Sequence, residues 1–332
     1  MKILGKIFRS REFILLLVIG IVFVIIGTRS EYFFTMYNIQ GLLLNISVYT
    51  IIGIGMTILF VSGGFDMSVG THMAFLGIIA GVLMGNGVPV FISIVLTLIL
   101  GIIDGIILGL IVTKLKVNPF VATLGAYFIF RGLAFLIGIT SKVRAAPSTA
   151  SIKDFPESFR RIGGDEIYGI EYVNIYMLSF LIIFIILLAR NVFFRQNYYV
   201  GGDINAARLA GIKVNIITIF NFALVSLMVA IAAMLRMSRV GTATATSGGQ
   251  DTALLIIAAV IIGGASLRGG TGSILGTFFG VVLITTINNG ITILGINPFY
   301  SQIVVGSILL LSVLMDEFLI RSRSLSLKSR SA

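Results

Sequence analysis

One polar stretch of the chain separates two long apolar segments and reads Tyr199-Val200-Gly201-Gly202-Asp203-Ile204-Asn205-Ala206-Ala207-Arg208-Leu209-Ala210-Gly211-Ile212. Residues 173–190 before it and 214–236 after it each approach the ~20 residues that a helix needs to cross a bilayer. Residues 203–212 favour a short helix of small and polar side chains that cannot bury itself in lipid. We therefore predict a soluble loop between two membrane-spanning helices, carrying a helix that needs a protein partner.

The whole chain has the composition of an integral membrane protein. Of its 332 residues 57% are hydrophobic and 11% are charged, and the mean hydropathy is +1.08, whereas soluble domains carry about 25% charged residues. Helices satisfy their backbone polar groups within each span, so we predict an all-α polytopic membrane protein. The chain has no cysteine and a single histidine, His72, which excludes disulfides and multi-histidine metal sites; we predict no metal.

Apolar runs predict about ten spans in one membrane domain over residues 1–332, with a cytoplasmic loop at 191–213 and an extracytoplasmic loop at 141–172. A count of eight stays open if two short spans are re-entrant. The predicted spans are 12–28, 42–61, 69–85, 90–113, 119–140, 173–190, 214–236, 252–266, 272–288 and 299–320.

The net charge of +11 is better explained by topology than by nucleic-acid binding. Most Lys and Arg residues lie at the ends of predicted spans on one side, and this bias places both termini in the cytoplasm. The first span lacks a small-residue cleavage site after it, so we expect it to be retained.

Two short segments echo one another: Val117-Asn118-Pro119-Phe120 and Ile296-Asn297-Pro298-Phe299. With five helices between them they would enter the membrane from opposite sides, as in an inverted repeat. The alternative is that Asn-Pro simply starts a helix, since proline at the first helical position loses no hydrogen bond.

The predicted helix at 203–212 has a shallow face. Ala207, Ala210 and Gly211 share it by helical spacing, and Asp203 and Arg208 lie beside it. An amphipathic connector on the membrane surface is the alternative, but only Leu209 and Ile212 would anchor it. A phosphate-binding loop is missing, because the glycine-rich segment 263–272 has no lysine. ATP, if it is used, must bind a separate subunit.

Several blocks of the chain, in order and from about residue 40 to 315, resemble the ribose-type permeases of binding-protein-dependent ABC importers. They are Ser62-Gly63-Gly64-Phe65-Asp66-Met67-Ser68-Val69-Gly70, Asn118-Pro119-Phe120-Val121-Ala122-Thr123-Leu124-Gly125, Gly201–Ile212, Ile257-Ala258-Ala259-Val260-Ile261-Ile262-Gly263-Gly264, and Asn289-Gly290 with Leu294-Gly295 and Gln302. The chain departs from relatives at Ala253-Leu254-Leu255, where they often have Glu-Leu-Asp, and at Asp104, where many have asparagine.

The resemblance implies a permease subunit rather than an enzyme, in a bacterial-type cytoplasmic membrane. It would translocate a small neutral polar solute, a monosaccharide or related furanosyl compound, delivered by an extracytoplasmic binding protein. Two ABC ATPase subunits would supply ATP hydrolysis, and a second permease, identical or similar, would complete the pore. The implied docking residues are Gly202, Asp203, Asn205, Ala206, Ala207, Arg208, Ala210 and Gly211.

Polar residues in or near spans are the candidates for the translocation path: Asp66, Asp104, Thr123, Asn288, Asn289 and Gln302. Uncharged amides and hydroxyls suit a neutral polyhydroxy solute, although helix packing explains each one equally well. Asp66 is either a helix cap or a gating group. Asp104, near the middle of a span, either pairs with Arg131 or faces the solute, since an unpaired carboxylate there is costly.

A proton-coupled secondary carrier is the alternative function, with Asp66, Asp104 or His72 as the titrating group. A membrane scaffold without transport is a third reading, which leaves the echo of the two Asn-Pro segments unexplained. The helix at 203–212 argues against the carrier, because a proton-coupled carrier does not need an ATPase partner.

Overall fold

The structure is a computed structural model that describes residues 11–143, 150–248, 250–297 and 299–307, with positions 310 and 314. It is a bundle of helices with two very short sheets. The helices are α1 (Arg11–Arg29), α2 (Met36–Val61), α3 (Val69–Gly85), α4 (Val90–Thr113), α5 (Pro119–Thr140), α6 (Glu157–Gly164), α7 (Tyr172–Arg190), α8 (Val192–Gly202), α9 (Ile204–Leu209), α10 (Val214–Val240), α11 (Gln250–Ile262) and α12 (Ile274–Ile293).

Within the described ranges, seven helices are long and apolar enough to cross a membrane: α1, α2, α4, α5, α7, α10 and α12. The apolar helices α3 and α11 have 17 and 13 residues, so they extend only about 26 and 20 Å. Of the tenth predicted span, residues 299–307, 310 and 314 are helical, and the rest of 299–320 lies outside the described residues. The α-helical polytopic class is confirmed, while ten spans, the inverted repeat and the sidedness of the termini stay predictions.

Helices α2 and α10 form the centre of the bundle and are mostly buried, whereas α1, α4 and α5 present most of their surface outward. Helix α4 packs on α10 through glycines four residues apart, Gly101, Gly105 and Gly109. A Cβ on Gly105 would lie 2.5 Å from the carbonyl oxygen of Phe222. Such small-residue spacing lets two membrane helices approach backbone to backbone.

Helices α11 and α12 pack even more closely. A Cβ on Gly276 would lie 2.0 Å from the carbonyl oxygen of Gly263, and one on Gly280 would lie 2.1 Å from that of Ala259. Both distances are far inside van der Waals contact, so the two helices touch through bare backbone. This hairpin holds α11, which is too short to be anchored by length alone, against the rest of the bundle.

The segment between α5 and α7 is folded where it is described. Strand β1 (Ser151–Ile152) pairs antiparallel with β4 (Ala243–Thr244), which follows α10, and β2 (Glu166–Ile167) pairs with β3 (Ile170–Glu171). Helix α6 turns its buried Phe159 towards the bundle and packs against α10. The predicted loop 141–172 therefore forms a cap over one end of α10.

The two echoed segments start their helices in the same way. Asn118 accepts the backbone N–H of Phe120 at 2.9 Å, and Asn297 accepts that of Phe299 at 3.0 Å. Each asparagine satisfies a backbone donor that the first turn of a helix leaves unpaired. This local likeness is what helix-start chemistry alone produces, and it leaves the repeat a prediction.

Candidate functional site

The loop between α7 and α10 folds into two helices that meet at Asp203. This residue ends α8 and caps α9, and its Oδ1 accepts the backbone N–H groups of Asn205 at 2.8 Å and Ala206 at 3.0 Å. A carboxylate at a helix start also complements the helix dipole. Asp203 therefore has a clear local role, which is to turn the chain so that α9 projects from α8.

The exposed side of α9 differs from the predicted one at Ala207, while Ala210 and Gly211 face outward as predicted. Ala207 is 3% exposed and packs with Val200, Val214 and Ile217 of α8 and α10. The prediction that Ala207 lies on the accessible face is therefore wrong, because α9 needs one small residue to seat itself on its neighbours. The residues that face outward are Gly202, Asp203, Ile204, Asn205, Ala206, Arg208, Leu209, Ala210 and Gly211. Leu209 is 91% exposed.

The docking loop, defined as residues 191–213, is held to the bundle by backbone contact. A Cβ on Gly201 would lie 1.9 Å from the carbonyl oxygen of Val61 and 2.4 Å from the amide nitrogen of Gly270. The Gly270 N–H donates to that same Val61 carbonyl at 2.8 Å. The end of α2, the turn before α12 and the end of α8 thus meet at one point.

Buried amides add a second connection to the docking loop. Asn221 of α10 donates to Asn197 Oδ1 of α8 at 2.7 Å and to Ser62 Oγ at the end of α2 at 2.8 Å. Both asparagines are fully buried, and buried polar groups are costly when their partners move away. Tyr198 donates its hydroxyl to the Gly272 carbonyl at 2.9 Å, and burial raises the pKa of this phenol, which keeps it a donor.

Asp66 lies in the turn between α2 and α3 and is fully buried. Its Oδ1 accepts the backbone N–H of Ser68 at 2.7 Å and the Ser68 hydroxyl at 2.6 Å. Ser68 is the residue from which α3 starts. The carboxylate therefore organises the turn before α3 by bonding to the N-cap residue rather than to the first N–H groups of the helix, and the role of Asp66 stays a prediction.

Asp104 pairs with His72 rather than with Arg131. Its Oδ2 lies 3.1 Å from Nε2 of His72, and the imidazole stacks on Phe130 with ring centroids 4.2 Å apart. Arg131 instead donates to the Tyr127 hydroxyl at 3.1 Å. A similar depth in the membrane suggested Arg131 as the partner of Asp104. The packing of α3 against α4 instead brings Asp104 and His72 together, while Arg131 faces outward.

The His72–Asp104 contact leads to a prediction about charge. We expect Asp104→Asn to keep transport within about twofold of wild type, because an amide still hydrogen-bonds Nε2 of His72. Asp104→Leu leaves the buried imidazole without that partner, at a cost of about 1–3 kcal/mol, and the melting temperature in detergent should fall. Loss of transport in Asp104→Asn at an unchanged melting temperature would show instead that the negative charge itself is required.

Two other path candidates form bonds within the bundle. The Thr123 hydroxyl is buried and donates to the Pro119 carbonyl of its own helix at 2.8 Å. Asn289 exchanges two hydrogen bonds with Asn38, at 2.7 and 3.2 Å, and so joins α12 to the start of α2. Both arrangements are what helix packing requires of such side chains.

The remaining two candidates line a cavity of about 570 Å³. Asn288 contributes from α12, where its Oδ1 accepts the Ser301 hydroxyl. Gln302 contributes from the following helical segment, and its Nε2 faces both carboxylate oxygens of Asp251 at 3.3 and 3.4 Å. Sequence reasoning missed Asp251. The signal that could have found it was a carboxylate at the edge of an apolar helix, because charged residues in membrane segments are rare and usually functional.

Known proteins match almost the whole chain. Residues 38–313 match the family model described as branched-chain amino acid transport system / permease component. The ribose import permease protein of Bacillus subtilis (strain 168) is 36% identical over 296 residues, which are 89% of each chain. The L-arabinose transport system permease protein of Escherichia coli (strain K12) is 35% identical over 308 residues, 92% of this chain and 90% of the relative. No solved structure matches.

These similarities extend over about nine tenths of both chains, so they cover membrane spans and loops alike. They decide between the readings of the sequence: the chain is a transporter subunit and not an enzyme, a proton-driven carrier or a scaffold. The arrangement of a membrane bundle with an outward-facing docking loop is consistent with that assignment. The chain belongs to the family of permease components of binding-protein-dependent ABC import systems.

Proposed function

We propose that this permease carries a monosaccharide or a related furanosyl compound across a bacterial cytoplasmic membrane. An extracytoplasmic binding protein delivers the solute, and ATP is hydrolysed on separate subunits that dock on the loop 191–213. The similarity to ribose and L-arabinose permeases over about nine tenths of both chains supports this proposal. The sugar class follows from those relatives, and the docking site from the exposed residues of α9.

The ATPase contact proposed here centres on the outward side of α9. Leu209 is 91% exposed and supplies an apolar knob, while Arg208 and Asp203 beside it supply charges of both signs. Leu209 and Ile204 are the exposed large apolar residues of this six-residue helix, and two such side chains make a poor membrane anchor, since interfacial helices bury a broad apolar face. A groove on a protein partner suits this surface better.

Movement of the docking loop would reach the membrane helices through the contacts at Gly201 and Asn221. The first joins the loop to the end of α2 and the turn before α12, and the second joins α8 to α10 and Ser62. Packed backbone and buried hydrogen bonds do not stretch, so the loop and these helix ends shift together. The free energy for the shift comes from the partners that bind one state more tightly.

A second permease copy is also part of the proposal. Arg131 lies in the membrane-spanning α5 and is exposed on the surface of the single chain. A guanidinium in contact with lipid at this depth is costly, so this face of α5 favours contact with protein or with a water-lined path. Pairing with a second permease through this face of α5 would place Arg131 against protein or beside a water-lined path.

The docking prediction is tested with Leu209→Asp in a tagged permease expressed with its partners. We expect the ATPase to be lost from the purified complex and uptake of labelled ribose and arabinose to fall at least about tenfold, which corresponds to about 1.4 kcal/mol of lost binding. Tyr168→Asp is the matched control, because Tyr168 is 100% exposed in the β2–β3 turn, far along the chain from α9. An ATPase that co-purifies normally with the Leu209 variant would refute the docking site.

A further inference from the structure

The cavity beside α12 lies far from the docking loop. The loop contacts the start of α12, where Tyr198 bonds to Gly272. Asn288 and Thr292, which line the cavity, come 14 and 18 residues after Ile274. At the rise of an α-helix this places them about 21 and 27 Å further along the axis. The cavity therefore opens at the end of the bundle that is opposite the proposed ATPase contact.

The chemistry of the cavity is that of a site for a polar, uncharged molecule. Asp251, Asn288, Thr292, Ser301 and Gln302 contribute one carboxylate, two amides and two hydroxyls, and Leu254 and Phe299 add apolar surface. Binding pockets for small molecules combine apolar walls with a few polar groups in volumes of about 300–1,000 Å³. Among the described residues that line this cavity there is no Lys, Arg or His.

The lining side chains keep hydrogen-bonding capacity for a guest. Gln302 uses its amide nitrogen on Asp251, at the long distances of 3.3 and 3.4 Å, and its amide oxygen stays an acceptor. Asn288 uses its oxygen on Ser301, and its amide nitrogen stays a donor. A carboxylate has about four acceptor positions, more than Gln302 fills. Neighbouring hydroxyls of one solute would match this mixture.

We propose that this cavity holds the solute on the transport path and that Asp251 makes it selective for polyhydroxy solutes without negative charge. The class of solute in this assignment rests on the proposed function. The carboxylate of Asp251 accepts hydrogen bonds from hydroxyl groups but repels an anion, and the cavity lining offers no cation to offset that repulsion. Leu254 and Phe299 cover the C–H surface of the same molecule.

The natural chain has no cysteine, so a single cysteine reports on one place. Thr292→Cys puts a thiol in the cavity, and Tyr168→Cys puts one on an exposed turn as the matched control. Both are labelled in the assembled complex with a cationic and an anionic methanethiosulfonate reagent. The ratio of cationic to anionic labelling rates at Thr292→Cys should be at least about five times the ratio at Tyr168→Cys. A nearby negative charge attracts the cationic reagent and repels the anionic one.

A second substitution assigns this preference to its source. Adding Asp251→Asn to Thr292→Cys keeps the size of the side chain and should reduce the reagent ratio to that of Tyr168→Cys. Adding Glu166→Gln, which removes an exposed carboxylate in β2, should leave the ratio high. Equal ratios at the cavity and the exposed turn, or a ratio that Asp251→Asn does not change, would overturn the role of Asp251.

Protection tests whether the cavity takes a solute. Ribose or arabinose at high concentration should slow the labelling of Thr292→Cys and leave that of Tyr168→Cys unchanged, whereas ribose 5-phosphate should protect only after Asp251→Asn is added. Failure of both sugars to protect would overturn the site. Uptake is measured separately: protection without uptake of either sugar would refute the proposed transport function while this site stands.

Discussion

Gly201→Ala should abolish transport, whereas Gly202→Ala should not. The added Cβ at Gly201 would sit 1.9 Å from the Val61 carbonyl oxygen, and both this atom and the Gly270 nitrogen 2.4 Å away belong to backbone. Backbone cannot rotate aside as a side chain can, so α8 has to move off the end of α2. A separation of more than 1 Å to reach normal contact of about 3.5 Å would break the Asn197–Asn221 hydrogen bond as well.

Its neighbour Gly202 is a close control, because it also belongs to α8 and a Cβ there would meet nothing within 4 Å. Although Gly202 is among the implied docking residues, it lies outside α9, on which the proposed ATPase contact centres. Both substitutions gain the same helix propensity, about 1 kcal/mol, so the difference between them isolates the clash. Uptake of labelled sugar and co-purification of the ATPase measure the outcome. We expect at least about a tenfold loss of uptake for Gly201→Ala, about 1.4 kcal/mol. Equal uptake by the two variants would mean that the loop is not coupled through this contact.

Gly280→Ala should destabilise the protein, whereas Gly41→Ala should stabilise it. The Cβ at Gly280 would lie 2.1 Å from the Ala259 carbonyl oxygen, so α11 and α12 must separate. Overpacking of this kind costs about 1–3 kcal/mol, which exceeds the gain in helix propensity. Gly41 lies inside α2 with nothing within 4 Å of the added carbon, so there only the gain of about 1 kcal/mol remains.

The two substitutions are expected to change the stability in opposite directions, so one measurement distinguishes them. Melting temperature in detergent should fall for Gly280→Ala and rise for Gly41→Ala. Because α11 and α12 also form walls of the cavity, the first variant should lose uptake too, and the second should keep it. A fall in melting temperature for both would show that any side chain added to these helices is harmful, and that the close contact between α11 and α12 is not special.

Hydrophobic patterning located most of the helices. Predicted spans 69–85, 90–113 and 119–140 coincide with α3, α4 and α5, because polar or turn-forming residues mark both ends of each. The start of α2 is Met36 rather than the predicted 42. Asn38 lies in that extra turn and looks like a loop residue, but it exchanges hydrogen bonds with Asn289 of α12. A polar residue whose partner is 251 positions away cannot be assigned from its neighbours.

The site was predicted less completely, for the same reason. The 203–212 stretch predicted the short exposed helix α9, yet alanine is small enough to lie on either side of such a helix, and the packing of α8 and α10 buries Ala207. Asp104 needed a partner, as the cost of a charge in a membrane requires, but only the crossing of α3 and α4 selects His72. Asp251 and Gln302 are 51 residues apart and meet only in the folded chain.

The sequence by itself determined the membrane class, the permease family, most helix bounds and the presence of a polar loop between α7 and α10, because hydropathy and local motifs act over a few residues. The tertiary structure decided which polar groups pair, which face of α9 is exposed and where a cavity forms, because these depend on atoms brought together from distant positions. Gly201 and Gly202 show the division. They are identical and adjacent in the sequence, and only the approach of Val61 and Gly270 makes one of them intolerant of a single methyl group.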